Sequence, residues 1–235
     1  MGQSPIRRDV IERVLERRGK LNTIERLDAR KTALIVVDMQ NCFLEPGAPV
    51  EVPQARDIVP AINRLAAATR DAGGTVAWIQ MTHDDSDLET WSIFYNRFAP
   101  ERRKEHLEGL RAGSHMHALW PALETKPADL WVAKRRFSAF IQGSSRLEEF
   151  LRGKGIDTVI VTGTVTNVCC ESTARDSMML NFRTIMVTDG NAAVTDEDHN
   201  ASLGAFYQHF GDIMPTDMLI ECLNRGAGKG LVAAE

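Results

Sequence analysis

The sequence predicts an α/β fold, a Rossmann-like three-layer αβα sandwich around a six-stranded, mainly parallel sheet. The first indication is a set of short apolar runs such as Leu-Ile-Val-Val at 34–37, since continuous apolar runs are typical of parallel strands buried on both faces. The second is that amphipathic helical segments such as 55–72 separate these runs, as in parallel sheets connected by helices. The third is a chain of 235 residues, 43% hydrophobic, which can bury one sizeable core.

The composition along the chain favours one domain, because no linker-like stretch or internal repeat divides it. That domain is predicted over residues 31–225. Residues 1–30 are predicted to be an N-terminal helical extension, whose charged helix would pack on the body or on another subunit. A homo-oligomer, either a dimer or a tetramer, is expected. Residues 226–235 are predicted to be a disordered tail.

The secondary-structure elements follow from periodicity and from helix-end residues. Pro60 is tolerated in a first helical turn, Gly73-Gly74 ends that helix, and Thr195 with Asp198 resembles a capping box. The stretch 82–128 is irregular, and such an excursion is usually functional or carries short elements of its own. The predicted strands are 34–37, 75–81, 130–133, 158–161, 184–187 and 213–214. The predicted helices are 7–18, 55–72, 144–153, a helix from Thr166 or Asn167 to about Leu180, 196–209 and 216–224.

Composition also restricts the partner and the compartment. A net charge of −4 leaves no basic excess of the kind that nucleic-acid binding requires, so a small molecule is expected instead. No apolar stretch reaches the length of a membrane span, and no secretory leader is recognised. The four cysteines show no disulfide or metal-binding spacing, which favours reduced thiols and a cytoplasmic protein.

Three chemically useful side chains stand at the ends of three predicted strands. Asp38 follows the first strand, Lys134 the third, and Cys169 comes shortly after the fourth. Because ligands of open α/β sheets bind beyond the carboxyl ends of the strands, these residues are expected at one edge of the sheet. A carboxylate there can take a thiol proton, an ammonium can stabilise the thiolate, and the thiolate can attack a carbonyl carbon.

Cys169 is expected in the first turn of a helix. The positive end of the helix dipole and nearby free backbone N–H groups favour the ionised form of a thiol, so this cysteine is predicted to be a nucleophilic thiolate. Cys170 is the rival nucleophile. On a helix it points about 100° away and would face the core.

These residues lie in motifs that resemble the isochorismatase-like cysteine hydrolase superfamily. The motifs are ALIVVDMQNCF at 33–43, KRRFSAF at 134–140 and TGTVTNVCCESTARD at 162–176. The resemblance implies the sheet order 3-2-1-4-5-6 and a catalytic triad of Cys169, Asp38 and Lys134. It further implies a cis peptide between Thr164 and Val165 and an oxyanion hole formed by the backbone N–H groups of Val165 and Cys169. In that sheet order Lys134 has to reach across two strand spacings, roughly 9.6 Å.

Within the superfamily, the run NVCCESTARD most resembles ureidoacrylate amidohydrolases and biuret hydrolases. That resemblance implies a metal-independent amidohydrolase that cleaves a C–N bond in a small ureido, carbamoyl or amide compound through a thioester. No cofactor is expected. Enzymes that act on isochorismate do not need the cysteine, so its presence disfavours that branch. The residues expected to line a substrate pocket are Gln40, Asn41, Phe43, Phe137, Tyr207 and Gln208.

Several alternatives remain open from the sequence. A nicotinamidase-like amidase would need metal ligands, and His83 with Asp84 has a suitable composition but not the Asp-x-His spacing of that branch. A non-catalytic binding protein of the same fold is a second alternative. A dinucleotide-dependent oxidoreductase is disfavoured, since no G-x-G-x-x-G follows the first strand. The aromatic residues Trp91, Phe94, Tyr95 and Phe98 are expected to form a lid or a subunit contact, with plain core packing as the alternative.

Overall fold

A six-stranded parallel sheet forms the centre of the structure, a computed structural model that describes residues 6–227. The strands are β1 Thr32–Val37, β2 Thr75–Met81, β3 Leu130–Lys134, β4 Thr158–Thr164, β5 Arg183–Ala192 and β6 Asp212–Met214. They are arranged in the order β3-β2-β1-β4-β5-β6, and every adjacent pair is parallel. Helices cover both faces, so the predicted αβα fold and strand order are confirmed.

The helices connect these strands and carry the segments around the sheet edge. The described helices are α1 Arg8–Arg18, α2 Asn41–Leu44, α3 Val59–Asp71, α4 Asp87–Thr90, α5 Ser92–Tyr95, α6 Pro100–Gly109, α7 Leu147–Gly153, α8 Glu171–Met179, α9 Asp196–His209 and α10 Thr216–Gly226. Three of them, α4 to α6, lie in the excursion 82–128, which therefore carries its own short elements. None of the helices in residues 6–227 has the length and apolarity needed to cross a membrane.

The core lies on both sides of the two central strands. Every residue of β1 and of β4 is buried. This explains why their sequences lack the polar alternation of a half-exposed strand. Helix α9 begins where the sequence predicted it, because the side chain of Thr195 accepts a hydrogen bond from the Asp198 N–H.

Some element boundaries differ from those predicted. The helix expected from residue 55 begins at Val59, because Pro53–Arg56 form a separate 3₁₀ turn before it. The helix expected from 144 begins at Leu147. Strand β5 continues to Ala192 through a register irregularity against β4, which periodicity could not reveal.

The two ends of the chain are only partly described. Helix α1 packs against α9 and buries Val10 and Val14 in the core. Its last residue, Arg18, pairs at 2.9 Å with the buried Asp212, which fixes the helix to the body of the same chain. Gly226 is the last residue of α10, and 228–235 of the predicted tail lie outside the described residues.

Candidate active site

Asp38 turns the chain at the end of β1. Its φ of 51° lies in the left-handed region, which Asp adopts more readily than most residues. Its backbone N–H still donates to Ile79 O at 2.9 Å, so the residue remains attached to β2 while the chain bends. The side chain is fully buried. The carboxylate is therefore held at the sheet edge, away from water.

Lys134 is the last residue of β3 and lies two strands from Asp38. It pairs in register with Met81 of β2, and its ammonium passes 3.4 Å from the Met81 Sδ. The Nζ atom then reaches Asp38 Oδ2 at 2.8 Å and also donates to Arg136 O at 3.1 Å. A long side chain is thus what closes the gap between the two strands, as the sheet order required.

Cys169 lies just beyond β4, in a π-helical turn formed by 166–170 that continues into α8. The Lys134 Nζ lies 3.6 Å from its Sγ. The residue at the start of the turn is Val165, and no side chain caps it. The expected cap at Thr166 or Asn167 is therefore wrong, and the Thr166 hydroxyl instead lies 2.9 Å from His199 Nδ1.

Gly163 determines how closely β4 approaches Asp38. Its φ is +115°, and a Cβ atom there would lie 2.1 Å from the carbonyl oxygen of Val37. A glycine is therefore needed for β4 to pair with the last residue of β1 at this point. Shortly after this glycine, the peptide bond between Thr164 and Val165 is cis, as the resemblance implied. Cys170 points to the other side, with its Sγ 3.9 Å from Thr162 O and fully buried.

The electrostatics of the three groups are those of a buried, coupled cluster. Burial raises the pKa of the Cys169 thiol well above its usual range, Lys134 opposes this, and Asp38 adds to it. Burial also raises the pKa of Asp38, against the pull of Lys134. Burial lowers the pKa of Lys134, but the charge of Asp38 outweighs it and the net shift is upward. This upward shift of the Cys169 pKa favours the neutral thiol over the predicted thiolate, because burial disfavours the charged form.

A cavity of about 360 Å³ opens beside Cys169. Pockets of roughly 300–1,000 Å³ suit small molecules. Phe43 and Phe137, which the sequence placed in a pocket, both line it, as do Val165 and Cys169 of the expected oxyanion hole. The remaining lining residues are Val50, Glu51, Val52, Met81, Phe94, Phe98, His106, Leu110, Asn167, Val168, Val194 and Asp198.

The four other residues expected in the pocket do not line this cavity. The Gln40 amide donates to Met81 O at 3.1 Å and to His117 O at 2.9 Å, and Asn41 donates to His115 O at 2.8 Å, so both tie loops to the sheet edge. Tyr207 donates to Leu21 O at 2.6 Å in a separate cavity under α1. Gln208 accepts from Arg13 at 3.2 Å, because that face of α9 is covered by α1.

An aromatic cluster forms one wall of the cavity, and sequence reasoning identified it only in part. Trp91 stacks on Phe94 with ring centroids 4.3 Å apart, and Phe94 lies edge-on to Phe137 at 5.5 Å. His106 of α6 also lines the cavity and contacts Phe98 at 5.2 Å, but no motif pointed to it. His106 lies on α6, whose sequence is mostly charged, so nothing in that sequence indicated that this side chain faces a cavity.

An ion-pair network attaches this aromatic segment to β3. The buried Asp87 pairs with Arg135 at 2.5 Å and with Arg136 at 3.4 Å, and Asp84 pairs with Arg135 at 2.9 Å. His83 is turned to the other side, with Nδ1 2.5 Å from the Tyr95 hydroxyl. Asp84 and His83, which the sequence analysis considered together as metal ligands, thus have different partners. In the part of the chain described here, no three His, Cys, Asp or Glu side chains are grouped as metal ligands.

Comparison with known proteins identifies the family of this chain. The isochorismatase domain matches residues 32–218. A ureidoacrylate amidohydrolase from Methylobacterium radiotolerans is 33% identical over 199 residues, which are 79% of this chain and 76% of that protein. A protein named probable inactive nicotinamidase from Arabidopsis thaliana is 30% identical over 74% of this chain and 87% of its own length.

Comparison of the fold with solved structures also finds hydrolases of this kind. The crystal structure of a cysteine hydrolase from Pseudomonas syringae pv. phaseolicola 1448A superposes with a TM-score of 0.76 at 30% identity. The superposition covers 85% of this chain and 95% of that one. With its strand order, its three strand-end residues and these matches, the chain belongs to the isochorismatase family of hydrolases.

Proposed function

We propose that the protein is a cysteine-dependent amidohydrolase that cleaves a C–N bond in a small ureido, carbamoyl or amide compound. The observation that carries this proposal is the position of the Lys134 ammonium, 2.8 Å from Asp38 and 3.6 Å from the Cys169 sulfur, where the buried cluster meets a cavity. The likeness to an amidohydrolase and to a cysteine hydrolase supports the same reaction class.

In the proposed mechanism Asp38 accepts the proton of the Cys169 thiol as the sulfur attacks the substrate carbonyl. A base is needed because the raised pKa of Cys169 favours the neutral thiol, and Lys134 stabilises the negative charge that passes from carboxylate to sulfur. The backbone N–H groups of Val165 and Cys169 are proposed to stabilise the tetrahedral oxyanion, and one such donor is commonly worth about 3 kcal/mol of barrier.

The same carboxylate carries a proton in each remaining step. Asp38 returns the thiol proton to the departing ammonia or amine, which breaks the C–N bond and leaves a thioester on Cys169. A water molecule then gives a proton to Asp38 and attacks the thioester carbonyl, and Asp38 passes that proton to the departing sulfur, which releases the acid product and restores the thiol. We place this reaction in the cytoplasm, since all four cysteines are free thiols. Assembly into a homo-oligomer stays a prediction.

The adjacent cysteines provide a matched test. Cys169→Ser should reduce ammonia release at least about 1,000-fold, whereas Cys170→Ser should change it by less than about tenfold, since only the first sulfur meets the cavity. The assay measures ammonia across ureido compounds, carbamoyl compounds, nicotinamide and simple amides, with urea unfolding to verify both folds. Turnover that survives in Cys169→Ser, or that is lost equally in Cys170→Ser, contradicts the mechanism.

A further inference from the structure

The described side chains that line the cavity beside Cys169 include no cation that could pair with a substrate carboxylate. Four phenylalanines, six aliphatic side chains and Met81 make up most of the lining. Among the described residues that line it, neither Lys nor Arg occurs. A buried carboxylate without a cation or several N–H donors is strongly disfavoured, because its desolvation is not compensated.

Three cations adjacent in the chain, Lys134, Arg135 and Arg136, directly precede the lining residue Phe137 and already have partners. Arg135 and Arg136 are bound to the buried Asp87, and Arg136 also lies over the Trp91 ring at 5.0 Å. Lys134 is bound to Asp38. A substrate carboxylate could gain one of these three cations only by breaking its ion pair, and the group left behind would be a buried, unpaired charge.

The polar groups of the lining point to the same conclusion. Glu51 has a pKa lowered by the Gly47 N–H and by Arg56, so it is a carboxylate at neutral pH, and Asp198 is a second acidic side chain on the exposed side of the cavity. His106 is uncharged there, because burial lowers its pKa to about 4. The cavity thus has two acidic side chains in its lining, of which Glu51 pairs with Arg56 at 2.8 Å, and otherwise mostly aromatic and uncharged walls.

We propose that this site takes uncharged substrates with an aromatic or apolar body, and that it rejects ureido and carbamoyl compounds that carry a carboxylate. This inference rests on the proposed function for the reaction but concerns only what the cavity binds. In it, Phe43, Phe94, Phe98 and Phe137 contact the body of the substrate, and the carbonyl reaches the Cys169 sulfur at the inner end.

The test compares phenylurea with 4-ureidobenzoate, which differ only by one carboxylate. Binding is measured by calorimetry on the full-length Cys169→Ala protein, so that the result does not depend on turnover. We expect phenylurea to bind at least about 30-fold more tightly. Equal or tighter binding of 4-ureidobenzoate, or no measurable binding of phenylurea, overturns the inference. Failure of the wild-type protein to release ammonia, with the binding preference intact, contradicts only the proposed reaction.

A charge introduced at the entrance provides an independent readout. Val194 lines the cavity and is 54% exposed, so Lys at this position places an ammonium there without disturbing the core. In the Cys169→Ala background, Val194→Lys should reduce the preference for phenylurea about fivefold relative to Val194→Met, which has a similar length and no charge. The same preference in both variants would show that charge does not set the selection and would overturn the proposal.

Discussion

Replacement of Lys134 by Met tests whether the buried ion pair holds the candidate site together. Methionine has nearly the same length and fills the same space, so the change removes mainly the charge. At 2.8 Å and an effective dielectric constant of about 20, the attraction between the ammonium and Asp38 is about 6 kcal/mol. Desolvation of both groups offsets part of this, and loss of one partner from a buried pair typically costs 3–5 kcal/mol of unfolding free energy. We expect a loss of about 4 kcal/mol near neutral pH.

The pH dependence of that loss has a definite sign. Without Lys134, the pKa of the buried Asp38 rises further above its unfolded value, so the native carboxyl is protonated where the unfolded one is charged. A group with a raised native pKa contributes stability below its unfolded pKa and loses it as the pH rises. The deficit of Lys134→Met should therefore be largest near pH 7 and should shrink toward about pH 4.

A double-mutant cycle isolates the pair. Asp38→Asn alone leaves the ammonium buried and unpaired, whereas Asp38→Asn combined with Lys134→Met removes both charges of the pair. The double variant should therefore be more stable than the sum of the single losses predicts, by at least about 2 kcal/mol. The assay is urea unfolding followed by circular dichroism, with ammonia release measured in parallel.

The exposed pair between Arg146 and Glu149 is the control for this cycle, and its coupling should not differ measurably from zero. Additive losses for Lys134→Met and Asp38→Asn would refute the reasoning, since they would mean that the 2.8 Å contact carries no net energy. A Lys134→Met protein that keeps full activity would contradict the role of the ammonium in the reaction.

Two further predictions concern stability. Gly163→Ala should cost about 3 kcal/mol of unfolding free energy, measured in urea, because the new Cβ meets the Val37 carbonyl oxygen. Gly143 also has a positive φ but open space around it, so Gly143→Ala should cost only about 1 kcal/mol. Equal losses would contradict the close approach of the strands. The native pKa of His106, about 4, lies below the unfolded value of 6.5, so the unfolded state binds the proton first as the pH falls. Through this residue the wild type should lose roughly 3 kcal/mol of unfolding free energy between about pH 7 and pH 4, and His106→Phe should abolish that loss.

Much of the fold and part of the site could be predicted from the sequence, because both follow from local patterns. The continuous apolar run at 34–37 indicated a strand buried on both faces, and all of β1 is buried. Asp38 and Lys134 follow strands directly, so a parallel sheet had to bring them to one edge. The aromatic wall could not be predicted in the same way, since His106 reaches the cavity through contacts among three short helices that have no shared periodicity.

The sequence by itself determined the layer architecture, the strand-end positions of Asp38, Lys134 and Cys169, and the orientation of Cys170 toward the core. Only the tertiary structure decided that the pKa of the Cys169 thiol is raised, because that pKa depends on burial among groups distant in the chain. It also decided that Tyr207 lies under α1 and that the cavity is aromatic with its nearby cations paired elsewhere. The physical reason is the same in each case. Periodicity and helix-end residues act over a few positions along the chain, whereas burial and charge pairing depend on which distant segments pack together.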